Sequence, residues 1–371
     1  MTKYTFLSLI LVLFLNQSCK EEIDPSTDGK TTAVVYGLLD QNDTIHYIKI
    51  NRAFYGGGDA LSIAQIADSS YFNSVKGTVK EYDGSTLKRT WELRDTLVTN
   101  KESGAFFGPE QVMYYFKTNK NESLIADGFT EYHLEVVVDE GLSSESTITG
   151  KTKLITGFSI KDPKTQQDAG GFKFAETSGF RNTDVRLNVG TSSAVECKLL
   201  IEFEEFQGSS LKNTKSFEWT LGTVNEDGLS TGIAELTAYG NTFYDLIKSN
   251  CSNDNSITKR ILKSITIIAT AADEDFQKYI TVNKPTSSLT QNKPTFTNLT
   301  ITNDNRIVGI FASRNTQSNV YLKWKYNGGS SYVRCIDLNS TKELCLGTIT
   351  GTYLFCSDLT AFDAGESFYC D

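Results

Sequence analysis

Histidine is almost missing from this 371-residue chain, which has two, His46 and His133. That scarcity argues against histidine-rich metal sites and leaves few general bases. Proline is scarce too, at 5 residues, which speaks against a disordered linker protein. Positive charge is the minority sign: 36 Lys+Arg face 45 Asp+Glu, the formal charge is −9, and no basic block occurs. An acidic chain of this kind is a poor partner for nucleic acid. No apolar run reaches spanning length. Phe6–Leu15 has about ten residues, where a membrane-crossing helix needs about 20.

That short run reads as an address. Lys3 precedes it and Asn16-Gln17-Ser18-Cys19 follows, so residues 1–18 read as a lipoprotein signal peptide. Ser18 supplies the small residue required before the lipidated Cys19, although Leu15 sits four residues before the cysteine instead of three. Residues 19–30 are polar and turn-rich and form a lipidated tether. Acyl chains on Cys19 make the membrane a partner, since an acidic body gains nothing by charge at anionic lipid. Lys20-Glu21-Glu22 resembles the short export signal that sends lipoproteins of Bacteroidota to the cell surface. The expected location is the outer membrane, facing outward.

From residue 31 to 156 the pattern alternates with a period of two, the sign of strands with one buried face. His46, Ile48 and Ile50 share one side of a strand. Val75–Val79 and Leu87–Leu93 flank Asp83-Gly84, a hairpin turn. Asp59–Ala67 reads as one short helix. These features predict an immunoglobulin-like β-sandwich. Residues 157–333 predict a second β-rich domain. Cys197, Leu199, Ile201 and Phe203 face one way in its best strand. Arg260–Thr270 is branched on both faces, as a central strand requires. Short helices are expected at Thr242–Ser249 and Asp273–Ile280. The fold class is therefore mainly β, in two β-rich domains with a few short helices.

A cysteine-rich segment, 334–371, completes the chain with Cys335, Cys345, Cys356 and Cys370. With Cys197 and Cys251 they make an even set after lipidation, so disulfides among the tail cysteines are expected, with the pairing open among 15 connectivities. Their wide spacing does not resemble zinc ligation.

Catalytic patterns are thin. Gly228-Leu229-Ser230-Thr231-Gly232 matches a nucleophile elbow, yet both histidines precede Ser230, where that fold needs one later in the chain. Asp273-Glu274-Asp275 lacks the loop of a calcium site and reads as a helix start. Tyr55-Gly56-Gly57-Gly58 lacks the residues of a phosphate loop. No metal, cofactor or catalytic residue is assigned. Phe106-Phe107 and Tyr114-Tyr115-Phe116 must each place one ring outward if they lie on strands, so each could serve binding. Asp43-Thr44-Ile45 and Asp95-Thr96-Leu97 resemble O-glycan acceptors of exported Bacteroidota proteins.

Two stretches carry a wider resemblance. Val34-Val35-Tyr36-Gly37-Leu38-Leu39 with Ile48-Lys49-Ile50-Asn51-Arg52-Ala53-Phe54 opens the domain. Pro294-Thr295-Phe296-Thr297-Asn298-Leu299 and Gly309-Ile310-Phe311-Ala312-Ser313-Arg314 follow much later. Together they resemble an uncharacterised group of Bacteroidota outer-membrane surface lipoproteins. That resemblance implies company with a TonB-dependent outer-membrane transporter and implies no reaction. The expected function is a non-enzymatic binding or accessory module. The alternatives are a carboxylate-based hydrolase, with acidic pairs such as Glu204-Glu205, or an adhesion or structural envelope protein.

Overall fold

The computed structural model describes residues 32–370 apart from 54–65, 67–69, 100–103, 105–106, 120, 165–170, 285–294, 304–305 and 327–331. Cys19, Lys20, Glu21, Glu22, Tyr55–Gly58 and nearly all of the helix expected at Asp59–Ala67 fall outside the described residues.

The chain is mainly β, in two β-rich halves. The first half supplies β1 (Thr32–Asp40), β2 (Ile45–Ala53), β3 (Val75–Asp83), β4 (Thr86–Glu92), β5 (Arg94–Val98), β6 (Gln111–Lys117), β7 (Thr130–Val138) and β8 (Ser146–Lys153). Gly84 takes φ +59° in the β3–β4 turn, a conformation a glycine adopts without strain. The chain goes on with β9 (Ser159–Asp162), β10 (Ala175–Glu176), β11 (Gly179–Phe180), β12 (Thr183–Asn188), β13 (Ala194–Gln207) and β14 (Ser210–Asn225). It continues through α1 (Glu226–Leu229), β15 (Ile233–Ala238), α2 (Gly240–Asn250), β16 (Lys259–Ala272), α3 (Glu274–Asn283), β17 (Thr300–Ile301) and β18 (Arg306–Leu322). The last stretch holds β19 (Trp324–Tyr326), β20 (Tyr332–Arg334), α4 (Leu338–Leu346) and α5 (Thr360–Asp363).

One eight-stranded sheet, ordered β14-β13-β16-β18-β1-β2-β6-β5, runs through both halves. A five-stranded sheet, β17-β8-β7-β3-β4, covers its β1–β2–β6 end and closes the first core around Val35, Ile48, Tyr132, Leu134 and Val136. A three-stranded sheet, β15-β12-β9, and α2 cover the other end. There Cys197, Leu199, Ile201 and Phe203 of β13 are fully buried, on the one face that their spacing predicts. β16 lies between β13 and β18, which explains its branched residues on both faces.

The halves are not two consecutive blocks of chain. β18 pairs in parallel with β1, and Leu299, Ile301, Ile307 and Phe311 pack into the first core, while Tyr321 at the far end of β18 packs into the second. A range of 157–333 therefore crosses back into the first half. Residues 334–370 are no appendage either: Cys335, Ile336, Leu344, Cys345, Phe355 and Phe368 complete the second core.

Candidate functional site

A cleft of about 480 Å³ opens at the joint of the two halves. Its walls include Glu131 of β7, Lys151–Lys153 of β8, Thr191, Asn298 and the start of α3 at Asp273–Asp275. Its volume lies within the ~300–1,000 Å³ typical of small-molecule sites. Asp273 holds the joint. As the N-cap of α3, its carboxylate accepts the Phe276 N–H at 2.8 Å, the Ser313 N–H at 2.7 Å and the Thr152 hydroxyl at 2.9 Å. One side chain so ties β8, β18 and α3 together. Burial raises its pKa above the usual carboxylate value, against the pull of those hydrogen bonds.

The remaining charged groups of the cleft are paired as well. Glu131 lies 3.0 Å from His133 Nε2 and 3.7 and 3.8 Å from Lys151 and Lys153. The hydrogen bond from His133 holds the Glu131 carboxyl below its ordinary pKa. Glu274 pairs with Lys278, and Asp275 accepts from Asn298 Nδ2 at 2.8 Å.

Beside the cleft, β1 and the segment from Asn298 to Arg314 pack against each other. Asn298 reads the backbone of Phe311 in both directions, donating to its carbonyl at 2.8 Å and accepting its N–H at 3.0 Å. Gly309 holds φ +110°, and a Cβ there would lie 1.8 Å from the Val35 carbonyl oxygen. A Cβ on Gly37 would lie 2.9 Å from the Phe311 ring. Arg314 sits 3.7 Å from Asp40 and from Asp43. Asp40, 2% exposed, accepts the backbone N–H groups of Asn42 and Thr316, each at 3.0 Å, and burial raises its pKa. These residues hold β1 and β18 side by side.

The other sequence candidates are scattered. Ser230 follows α1 on the second half, whereas His46 and His133 stand in the first-half sandwich, so the elbow pattern gathers no triad. His46, 1% exposed, stacks on Phe116 at 4.6 Å and meets Thr118 Oγ1 at 3.2 Å; burial lowers its pKa to about 4. Of the Tyr114–Phe116 run, Phe116 is core and Tyr115 faces Tyr47 across the sheet. Glu205 is not a solvated acid: it is fully buried against Arg260 at 2.9 Å. Its inward phase was present in the alternation from Cys197 onward.

Cys356 and Cys370 form a disulfide that closes a 14-residue separation. Cys335 and Cys345 are free thiols in the core, with pKa values that burial pushes up to about 12; Cys197 is another. Such groups carry almost no thiolate at neutral pH. Among the described residues, no group of three or more His, Cys, Asp or Glu is placed to hold a metal ion.

No family model matches the chain, and no curated protein does. Among solved structures, the C-terminal globular domain of an oligosaccharyltransferase from Pyrococcus abyssi aligns at 9% identity and a TM-score of 0.21, over 63% of this chain and 42% of that one. CBD12 from CALX1.2 aligns at 10% identity and a TM-score of 0.15, over 76% of this chain and 99% of that one. Likenesses this weak carry no argument about fold or activity.

Proposed function

We propose that the protein is a surface lipoprotein of the outer membrane that acts as a non-enzymatic binding or accessory module for a TonB-dependent transporter or an envelope complex. The cleft at the joint supports this reading. Asp273 is engaged in tying β8, β18 and α3 together and the other charged groups pair locally, so the cleft offers shape and fixed hydrogen-bonding edges. A carboxylate hydrolase needs an acid free to exchange its proton with substrate. Asp273 would have to give up three hydrogen bonds to do so. The cleft also lies toward the Asp40 end of β1, away from Thr32. Ser313, which donates to Asp273, pairs with Leu39, seven residues along β1 from Thr32, or roughly 23 Å at the rise of a strand. The tether expected from the sequence joins β1 at the opposite end, Thr32.

The test is a mild-detergent pulldown of the tagged, full-length protein from native membranes. A transporter recovered at near one-to-one stoichiometry is expected. Recovery of the protein alone overturns the accessory reading. Intact mass of the native protein beside Cys19→Ala tests the anchor separately, through the acyl mass that the variant should lack.

A further inference from the structure

We propose that an aromatic surface built by β19, β20 and α5 is a binding site for neutral glycans, taking one or two sugar rings. This site is separate from the joint cleft and does not depend on the accessory reading. Three rings gather around a fourth, Tyr332. Tyr332 lies 5.3 Å from Trp324, 5.3 Å from Tyr326 and 5.7 Å from Phe362, all at steep or tilted angles. Tyr326 and Phe362 are 52% and 54% exposed, unusual for rings within a cluster. A ring face carries the negative lobe of its quadrupole, which attracts the polarised C–H groups on the face of a sugar.

Area favours this occupant over a protein. An aromatic side chain offers about 150–250 Å², so two half-exposed and two partly buried rings present roughly 300 Å². A stable protein interface needs about 800 Å² from each partner. Charge favours a neutral ligand: Lys323 pairs with Asp358 and Arg334 with Asp363, so among the described residues of β19, β20 and α5 only the exposed Lys325 is without an ion pair.

Polar groups stand beside the rings as hydroxyl recognition requires. Trp324 Nε1 lies 3.4 Å from Asp358 Oδ1. A recess of about 30 Å³ lined by Lys323, Trp324, Arg334, Ser357 and Asp358 adjoins them, room for one hydroxyl group or water. The surface is also held in advance of binding. Phe362 belongs to the loop that Cys356–Cys370 closes, and Asp363 beside it is fixed by Arg334 and by Ser357 Oγ.

The experiment uses the full-length protein in a detergent without a sugar headgroup. It is titrated with tetrasaccharides of glucose, mannose, galactose and xylose, and with polygalacturonate as an anionic control, by calorimetry and tryptophan fluorescence. At least one neutral tetrasaccharide should bind more tightly than about 1 mM. Phe362→Ala and Tyr326→Ala should each weaken it about tenfold with Tm unchanged. Tyr326, at the far side of the cluster from the disulfide loop, keeps the test valid should Phe362→Ala loosen the tail. No binding by any neutral sugar, preference for polygalacturonate, or binding undiminished in both variants would overturn the proposal.

Discussion

The two halves solve one problem in different ways. Each closes a β core, and each buries a single glutamate against an arginine. In the first half Glu81 meets Arg89 and accepts the Tyr132 hydroxyl at 2.9 Å, while Arg89 lies over Trp91 at 4.8 Å. In the second, Glu205 meets Arg260, whose other nitrogens reach the carbonyls of Tyr353 and Ser252 at 2.7 and 2.8 Å. The first half is closed by sheet against sheet and borrows β17 and much of β18 from late in the chain. The second is closed by the small sheet β15-β12-β9, by α2 and by a cross-linked tail. Closure by a borrowed strand makes the first half dependent on the joint. Closure by a local loop leaves the second more self-reliant.

The largest expected effect follows from that dependence. Gly309→Ala places a Cβ 1.8 Å from the Val35 carbonyl oxygen at a φ of +110°. Both the contact and the backbone conformation oppose it, and β1 and β18 must part. A loss above about 4 kcal/mol is expected. Denaturant melts should show the first half lost before the second. A single unchanged transition would remove the distinction between the halves.

The buried pairs give the next test. Arg260 is 5% exposed at its side chain and Glu205 0%, whereas Arg89 is 26% exposed beside a Glu81 at 1%. Arg260→Met leaves an uncompensated charge in the core and should cost about 3–5 kcal/mol. Arg89→Met should cost less, because water reaches the vacated side. Glu205→Leu with Arg260→Met should recover much of the loss. Equal costs for the two single variants would mean that the pairs are equivalent.

How far the sequence announced these features depends on their range. Period-two alternation shows which residues of β13 turn inward, and it carries Glu205 inward with them. Branched residues on both faces mark β16 as central. Asp273 is legible as a helix start from the acids around it. Its grip on Thr152 and Ser313 is not, because those partners lie 121 and 40 residues away and no local pattern encodes them. The parallel pairing of β1 with β18 is invisible for the same reason. The aromatic surface joins Trp324, Tyr332 and Phe362 across the tail, and each ring alone reads as packing. Among the four tail cysteines the pairing stood open, and it is the fold that brings Cys356 and Cys370 together and leaves Cys335 and Cys345 as free thiols.

Opening the cross-link sharpens the comparison at the second half. In a chain-entropy treatment a loop of about 15 residues is worth about 3 kcal/mol. Replacing Cys356 and Cys370 by serine should lower the stability of the tail and second core by up to that amount. Hydrogen exchange should rise around α5 and Phe368 and stay unchanged in β3 and β7. Uniform change across both halves would show that the tail acts on the whole molecule.

The smallest effect is set by pH and belongs to the first half, since both histidines lie there. Burial lowers the His46 pKa from an ordinary 6.5 to about 4. Above pH 6.5 the imidazole is neutral in both folded and unfolded chains and has no influence on the balance. Between about 6.5 and 4 the unfolded chain takes up a proton that the folded one refuses, so stability falls as the pH drops. By pH 4.5 the loss is about 2.5 kcal/mol for a shift of this size. Its origin is local: the ring is stacked on Phe116, with Nδ1 lacking a hydrogen-bond partner, so a charge there finds little compensation. Protection against exchange, corrected for the intrinsic rate at each pH, should fall more in β2 and β6 than in β13 and β16 between pH 7 and pH 4.5. His46→Gln should flatten the dependence of stability on pH across this window. A variant with the native slope would assign the acid sensitivity to carboxylates elsewhere and free the first half from its histidine.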